Sequence, residues 1–142
     1  MNILVINGPN LNLLGERDQE IYGDNTLDEL MMWLETSPEG SNHNFKFYQS
    51  NHEGVIIDSI HDERQWAQGM IINAGALSHY SYSIRDAISS AKIPTVEVHL
   101  SDIMNREDFR KTSVLKDVCV NQVYGMGKQS YIEGLRILNG NQ

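Results

Sequence analysis

Short, continuously apolar runs separated by helical or loop-like stretches are the feature that most limits how this chain can fold. Runs of strand length recur at residues 3–6, 45–48, 70–72, 95–98 and 118–123. The first, Ile3-Leu4-Val5-Ile6, does not alternate with polar residues, so both faces of that strand should be covered. Five such strands with helical segments between them predict an α/β fold, a three-layer sandwich around a five-stranded, mostly parallel sheet. Because crossovers between parallel strands are right-handed, few strand orders remain, and we expect the flavodoxin-like one.

Two segments match the capping box, in which a hydroxyl and a carboxylate satisfy the free backbone N–H groups at the start of a helix. They are Thr26-Leu27-Asp28-Glu29 and Ser50-Asn51-His52-Glu53. We predict that a helix begins at each of them. Two further helices are predicted over residues 83–91, ending before Pro94, and over residues 131–138.

Composition argues against several classes of partner. The 142 residues carry 19 acidic and 11 basic side chains, a net charge of -8, and the basic residues form no dense cluster, so we expect no nucleic-acid partner. The chain lacks a basic leader and any run of about 18 apolar residues, which predicts no membrane span and a cytoplasmic location. The single cysteine, Cys119, fits a reducing compartment and is predicted to be a buried core thiol. The length predicts one domain over residues 1–142.

Polar residues follow the first, third and fourth predicted strands. In open α/β sheets, ligands bind beyond the carboxyl ends of the strands. The loop from the first strand to Asn25 is long, and loops of that length are typical of functional lids. The third strand runs into Asn73-Ala74-Gly75-Ala76, where small residues let the backbone approach a ligand, and the fourth carries Glu97 and His99. We therefore predict a binding site at this edge of the sheet.

Residues 125–130, Gly-Met-Gly-Lys-Gln-Ser, follow the last predicted strand and precede a helix, as a dinucleotide-binding loop does. The last glycine of that pattern is missing, so the signal is weak. We interpret the segment as a place where strand and helix pack closely.

Six short motifs occur in order along the chain. They are Asn-Gly-Pro-Asn-Leu at 7–11, Leu-Gly-x-Arg at 14–17 with Tyr-Gly at 22–23, Gln-Ser-Asn-x-Glu-Gly at 49–54, Asn-Ala-Gly-Ala at 73–76, His-x-Ser at 79–81 ahead of Arg-Asp-Ala at 85–87, and Glu-Val-His-x-Ser at 97–101. One motif of this length is a weak signal, whereas an ordered set with consistent spacing is a strong one. With these motifs the chain resembles the type II 3-dehydroquinate dehydratase family over roughly residues 2–138.

The resemblance implies a lyase reaction, the removal of water from 3-dehydroquinate to give 3-dehydroshikimate by anti elimination through an enolate. This reaction is the third step of the shikimate pathway to chorismate and the aromatic amino acids. The same reaction also serves quinate breakdown, and the sequence leaves both pathways open. The resemblance further implies no cofactor, no metal, a small anionic substrate and a homo-oligomer, usually a dodecamer built from trimers.

The resemblance also implies a role for each residue that matches a motif. Tyr22 would take the proton beside the ketone, Arg17 would stabilise the ionised form of Tyr22, and His99 would protonate the departing hydroxyl. Asn10 would hold a water at the enolate oxygen, and Glu97 would support His99. The residues implied to bind the substrate are Asn73, His79, Leu100, Ser101 and Arg110, with Arg106 as a second arginine of the lid and Asp86 reaching the site of a neighbouring subunit.

Without the motifs, these residues have ordinary interpretations, with Tyr22 and Arg17 as loop residues and the histidines as solvated or structural ones. Two other classes of function then stay open, a non-catalytic flavodoxin-like binding module and an FMN carrier. The carrier hypothesis lacks a hydroxyl-rich phosphate loop after the first strand, where Pro9 and leucines stand. Asp18-Gln19 follows Arg17 where the family has Glu-Pro, and the loss of proline predicts a looser open loop.

Overall fold

Five parallel strands form one sheet in the computed structural model, which describes residues 1–140. The strands are β1 (Asn2–Asn7), β2 (Asn44–Gln49), β3 (Gly69–Asn73), β4 (Thr95–Val98) and β5 (Asn121–Val123). Their order across the sheet is β2-β1-β3-β4-β5, and every neighbouring pair runs parallel. This order confirms the predicted flavodoxin-like α/β fold.

Helices and short 3-10 turns connect the strands. The α-helices are α1 (Gln19–Tyr22), α2 (Leu27–Thr36), α3 (Glu53–Glu63), α4 (Tyr82–Ala91) and α5 (Gln129–Gly140). The 3-10 turns are Leu11–Leu13, Gly75–His79, Ile103–Asn105, Asp108–Lys111 and Lys116–Val118. Within residues 1–140, no helix combines the length and the apolar character that crossing a bilayer requires.

Two apolar clusters, one on each face of the sheet, form the core. Ile3 and Val5 of β1 pack in one cluster with side chains of α2 and α5, while Leu4 and Ile6 pack in the other with α3 and α4. Successive side chains of a strand point to opposite faces, so a strand covered by helices on both faces is mostly apolar, and any polar side chain in it needs a buried hydrogen-bond partner. The uninterrupted apolar run at 3–6 therefore results from the three-layer arrangement.

Only one of the two predicted capping boxes forms. At the start of α2, Thr26 Oγ1 accepts from the backbone N–H of Glu29 at 3.2 Å, and Glu29 Oε1 accepts from Thr26 N–H at 3.0 Å, as predicted. The box at Ser50 is wrong, because α3 begins at Glu53 with His52 as its N-cap residue. Ser50 Oγ instead accepts from His52 N–H at 2.9 Å, which forms a tight turn before the helix.

The last predicted strand is also shorter than expected. Residues 116–118 form a 3-10 turn, and pairing with β4 begins only at Asn121. Val118 and Cys119 instead pack, partly buried, against the cluster formed by α3 and α4.

Cys119 is therefore half-buried and not a fully buried core residue as predicted. Burial raises the pKa of the Cys119 thiol to about 12, so this thiol stays protonated at neutral pH.

Candidate active site

A cavity of about 90 Å³ lies at the carboxyl ends of β1, β3 and β4, enclosed by the loops that follow them. Ten of the predicted site residues line it: Asn10, Arg17, Tyr22, Asn73, His79, His99, Leu100, Ser101, Arg106 and Arg110. Glu97 lies behind His99 and is fully buried. Residues up to 100 positions apart in the sequence thus meet at the sheet edge where the sequence predicted a site.

The loops after β1 and β3 contact each other closely at Gly8. The backbone N–H of Gly8 donates to Asn73 O at 2.7 Å. A side chain at this position would place its Cβ 2.5 Å from Ala74 O, which is closer than any carbon side chain can lie to an oxygen. Two residues later, the backbone N–H of Asn10 donates to Asn51 Oδ1 at 2.9 Å. These contacts fix the first residues of the long loop against the sheet and place Asn10 at the cavity.

We call residues 15–25 the lid, because this part of the loop carries Arg17 and Tyr22 over the cavity. Tyr22 is the last residue of the single-turn helix α1, and Gly23 after it has φ 83°, a left-handed conformation that favours glycine. The Arg17 guanidinium lies over the Tyr22 ring, with Cζ 3.9 Å from the ring centroid. Arg106, from the loop after β4, lies 5.2 Å from the same centroid. Two guanidiniums therefore lie within cation–π distance of one phenol ring.

Glu97 and His99 form a buried pair at the end of β4. His99 Nε2 and Glu97 Oε2 lie 2.6 Å apart, and the two side chains are 6% and 0% exposed. Ser113 Oγ donates to Glu97 Oε1 at 2.7 Å, and Gln122 Nε2 donates to Oε2 at 3.3 Å. Burial alone would raise the pKa of the Glu97 carboxyl, but these hydrogen bonds, that from His99 above all, bring its pKa below the usual value. Glu97 is therefore ionised and holds the His99 ring through Nε2, which leaves Nδ1 as the nitrogen that can meet a ligand.

The second cavity histidine, His79, is held in one tautomer. Its Nδ1 lies 2.7 Å from the backbone oxygen of Thr112, and because a carbonyl only accepts, Nδ1 must carry the proton. Partial burial lowers the pKa of His79, and nearby His99 and Arg110 lower it further. At neutral pH the ring is thus uncharged, and Nε2 can accept a hydrogen bond from a ligand hydroxyl.

Besides Arg17 of the lid, Arg106 and Arg110 supply positive charge to the cavity wall. Arg106 Nη1 donates to Ser101 Oγ at 3.1 Å, and the Arg110 side chain is only 18% exposed. Both arginines pair with the half-exposed carboxylate of Glu107, at 3.8 Å from Arg106 Nε and 3.0 Å from Arg110 Nε. The net charge of -8 is therefore offset locally, and a bound carboxylate would meet planar, bidentate donors.

Asp86 lies outside this cavity. It is on α4, where it lines a shallow groove toward α3 together with His61 and Ser83. Its implied role in the site of a neighbouring subunit stays a prediction. Within residues 1–140, no group of three or more His, Cys, Asp or Glu side chains is arranged to hold a metal ion.

Sequence reasoning missed Glu107, which pairs with Arg106 and Arg110, and three buried or half-buried residues that contact other predicted ones. Ser113 and Gln122 bind Glu97, and Tyr131 binds Asn73. Each lies far along the chain from its partner and outside the six motifs, so no local pattern marks it. The one usable signal was the hydroxyl of Tyr131 in a helix that packs on the sheet, because a buried phenol needs a hydrogen-bond partner.

Comparison with known proteins finds one family along nearly the whole chain. A family model described as Dehydroquinase class II matches residues 1–139. A 3-dehydroquinate dehydratase of Trichodesmium erythraeum is 51% identical over 137 residues, which cover 96% of this chain and 91% of that protein. The 3-dehydroquinate dehydratase of Bacillus subtilis is 45% identical, with 99% and 95% covered. The crystal structure of the type II dehydroquinase from Butyrivibrio crossotus superposes with a TM-score of 0.94 at 45% identity, covering 98% of this chain and 97% of that one.

Proposed function

The chain belongs to the class II dehydroquinase family, and on that basis we propose that it is an enzyme that removes water from 3-dehydroquinate to give 3-dehydroshikimate. The observation that carries the proposal is the cavity that holds Tyr22 between two guanidiniums and His99 on a buried carboxylate. These groups supply a base and an acid, which an elimination of water needs.

We assign proton removal to Tyr22. A free phenol of pKa about 10 is ionised in about one molecule in a thousand at neutral pH, an obstacle of roughly 4 kcal/mol. Arg17 and Arg106 lie near enough to the ring to offset much of that cost by direct attraction. Closing the lid would exclude water and strengthen the attraction, which is a physical reason for placing base and arginine on one segment.

We assign proton donation to the departing hydroxyl to His99. The ionised Glu97 accepts from Nε2–H and holds the ring, so that Nδ1 can give a proton to the hydroxyl and take one back in the next cycle. In this scheme the elimination is anti and passes through an enolate. Asn10, at the rim of the cavity, would hold a water at the enolate oxygen.

We assign substrate binding to the remaining cavity residues. The substrate carboxylate would meet Arg110 and the backbone at Leu100 and Ser101, and it would take over part of the pairing that Arg106 and Arg110 now make with exposed Glu107. The ring hydroxyls would meet Asn73 and the lone pair on Nε2 of His79. This division puts the anionic end of the substrate on the arginine side of the cavity and the polar ring on the β3 side.

The proposal extends to pathway and assembly. We place the reaction at the third step of the shikimate pathway, with quinate breakdown as the alternative. We propose one domain over residues 1–142 and a homo-oligomer built from trimers, in which Asp86 of one subunit reaches the site of its neighbour. Gel filtration tests the assembly, because elution near the monomer mass of 16.1 kDa would exclude any shared role of Asp86.

The activity is tested by incubating purified protein with 3-dehydroquinate and following 3-dehydroshikimate by its ultraviolet absorbance. Tyr22→Phe should lower kcat by at least about a hundredfold, because it removes the ionisable oxygen and keeps the ring. Tyr82→Phe is the matched control, since Tyr82 is 67% exposed at the start of α4 and lies outside the cavity. No product from the wild-type protein would refute the proposed activity, whereas full turnover by Tyr22→Phe would refute only the base.

A further inference from the structure

The hydroxyl of Tyr131 joins the ends of the two central strands. Tyr131 lies on α5, is 0% exposed and does not line the cavity. Its hydroxyl donates to Asn7 Oδ1 at 2.6 Å and accepts from Asn73 Nδ2 at 3.1 Å. Asn7 and Asn73 are register partners at the carboxyl ends of β1 and β3, and of the three residues only Asn73 reaches the cavity. A buried phenol thus contacts a cavity residue from behind.

The direction of every hydrogen bond in this group is fixed. The backbone N–H of Gly75 donates to Asn73 Oδ1 at 3.2 Å, so the amide oxygen must face Gly75 and the amide nitrogen must face Tyr131. Tyr131 therefore accepts from Asn73 and uses its own proton on Asn7. Burial raises the pKa of Tyr131 well above its usual range, so the hydroxyl keeps that proton.

This arrangement leaves Asn73 with one amide hydrogen for a ligand. The Nδ2 group has two hydrogens, of which Tyr131 takes one, and the side chain lines the cavity. Without the phenol oxygen, one Nδ2 hydrogen would lose its partner, and only the bond from Gly75 N–H would hold the amide. The Asn73 amide would then have more than one orientation in which it could meet a ligand.

We propose that Tyr131 is a positioning residue that orients the Asn73 amide toward the substrate. This inference rests on the proposed function, because it concerns how the same cavity holds 3-dehydroquinate. Since Asn73 binds the substrate before and during the reaction alike, a loosened amide weakens binding without slowing the chemical step, so KM rises and kcat does not change. A merely structural role would reduce the fraction of folded protein, which lowers apparent kcat and leaves KM unchanged.

The first experiment compares Tyr131→Phe with Tyr48→Phe in steady-state kinetics, with circular dichroism to measure folding. Tyr48 is the matched control because its hydroxyl also donates a hydrogen bond, to Glu63 Oε2 at 2.9 Å, but at the edge strand away from the cavity. Tyr131→Phe should raise KM about tenfold, the factor that corresponds to one lost hydrogen bond, with kcat within about twofold of wild type. Tyr48→Phe should leave both constants unchanged.

A second variant keeps the proposal testable if Tyr131→Phe does not fold. Asn7→Leu retains the bulk of the side chain, lies outside the cavity and deprives the Tyr131 hydroxyl of its acceptor. The phenol proton would then lack a partner, and the nearest remaining acceptor is the Asn73 amide oxygen, which must turn away from Gly75 to accept it, so KM should rise here too. In the Asn73→Ala background, Tyr131→Phe should change KM by less than about twofold, because the residue through which it acts is gone.

Unchanged KM in folded Tyr131→Phe or Asn7→Leu would overturn this inference and leave the proposed activity intact. Effects that multiply with those of Asn73→Ala would overturn it too, since they would mean that Tyr131 acts by another route. A wild-type protein that makes no 3-dehydroshikimate would overturn both the inference and the proposed function.

Discussion

Replacing Arg17 with alanine tests the electrostatic basis of the proposed base. The Arg17 Cζ lies 3.9 Å above the Tyr22 ring centroid. The phenol oxygen at the ring edge is then about 5 Å from the guanidinium, where an effective dielectric of about 20 gives an attraction of roughly 3 kcal/mol. Both side chains are partly exposed, so screening by water lowers this somewhat. A loss of about 2–3 kcal/mol corresponds to a decrease in kcat/KM of roughly 30- to 150-fold at neutral pH.

The pH dependence of that loss identifies its cause. Removing the charge makes the phenolate rarer, so kcat/KM of Arg17→Ala should approach the wild-type value near about pH 10, where a phenol ionises without help. The measurement is kcat/KM from product absorbance between about pH 6 and about pH 10. Arg64→Ala is the control, because Arg64 is the residue that follows α3, its guanidinium donates to the backbone oxygen of His61, and it does not line the cavity.

A defect of equal size at every pH would refute this reasoning. It would mean that Arg17 acts by binding the substrate carboxylate or by shaping the lid, neither of which depends on ionisation of the phenol. Arg17→Lys separates the charge from the planar stacking, since lysine keeps the first and loses the second. We expect it to recover part of the activity at neutral pH.

Three further changes test the supporting structure. Gly8→Ala should lower the free energy of unfolding in urea by about 1–3 kcal/mol, because the new Cβ meets Ala74 O; an unchanged midpoint would contradict that contact. Thr26→Ala should cost about 1 kcal/mol in the same assay through the lost helix cap, with kcat unaffected. The pKa of Glu97 is lower in the folded than in the unfolded state, so its contribution to stability is full above about pH 4.5 and disappears as pH falls through the folded value. Ser113→Ala removes a donor to Glu97, so unfolding in acid should begin at higher pH than in wild type, and identical acid transitions would contradict this role.

The sheet could be predicted from the sequence because a strand buried on both faces has a continuous run of apolar residues. Each residue of β1 from Ile3 to Ile6 is 0% exposed, and an apolar run without polar interruptions permits this without any buried hydrogen-bond partner for a side chain. The same rule misled us at residues 118–123, where Val118 and Cys119 are apolar because they pack on the α3/α4 cluster and not because they belong to β5. An apolar residue therefore indicates that a position is buried, but it does not indicate whether that position lies in a strand or in a turn.

Hydrogen bonds between residues far apart in the sequence have no local sequence pattern that predicts them. Thr26 could be assigned because its partner, Glu29, lies three positions away, whereas Ser50 made an equally good match and turned out to bond His52 instead. The strand ends predicted where the cavity lies, but the roles of its residues were predicted only through the family motifs. Ser113 and Tyr131 escaped because their bonds to Glu97 and Asn73 depend on how the loops and α5 meet the sheet, which no local pattern encodes.

The bond between Tyr131 and Asn7 links residues 124 positions apart. Contacts between residues so far apart along the chain tend to form late, since closing the long loop between them costs entropy before the contact contributes. During synthesis, β1 and β3 can pair well before α5 leaves the ribosome. In the nascent chain, the strands should therefore pair before the Asn73 amide is held in its orientation. The chain should bind substrate only after α5 has packed on the sheet.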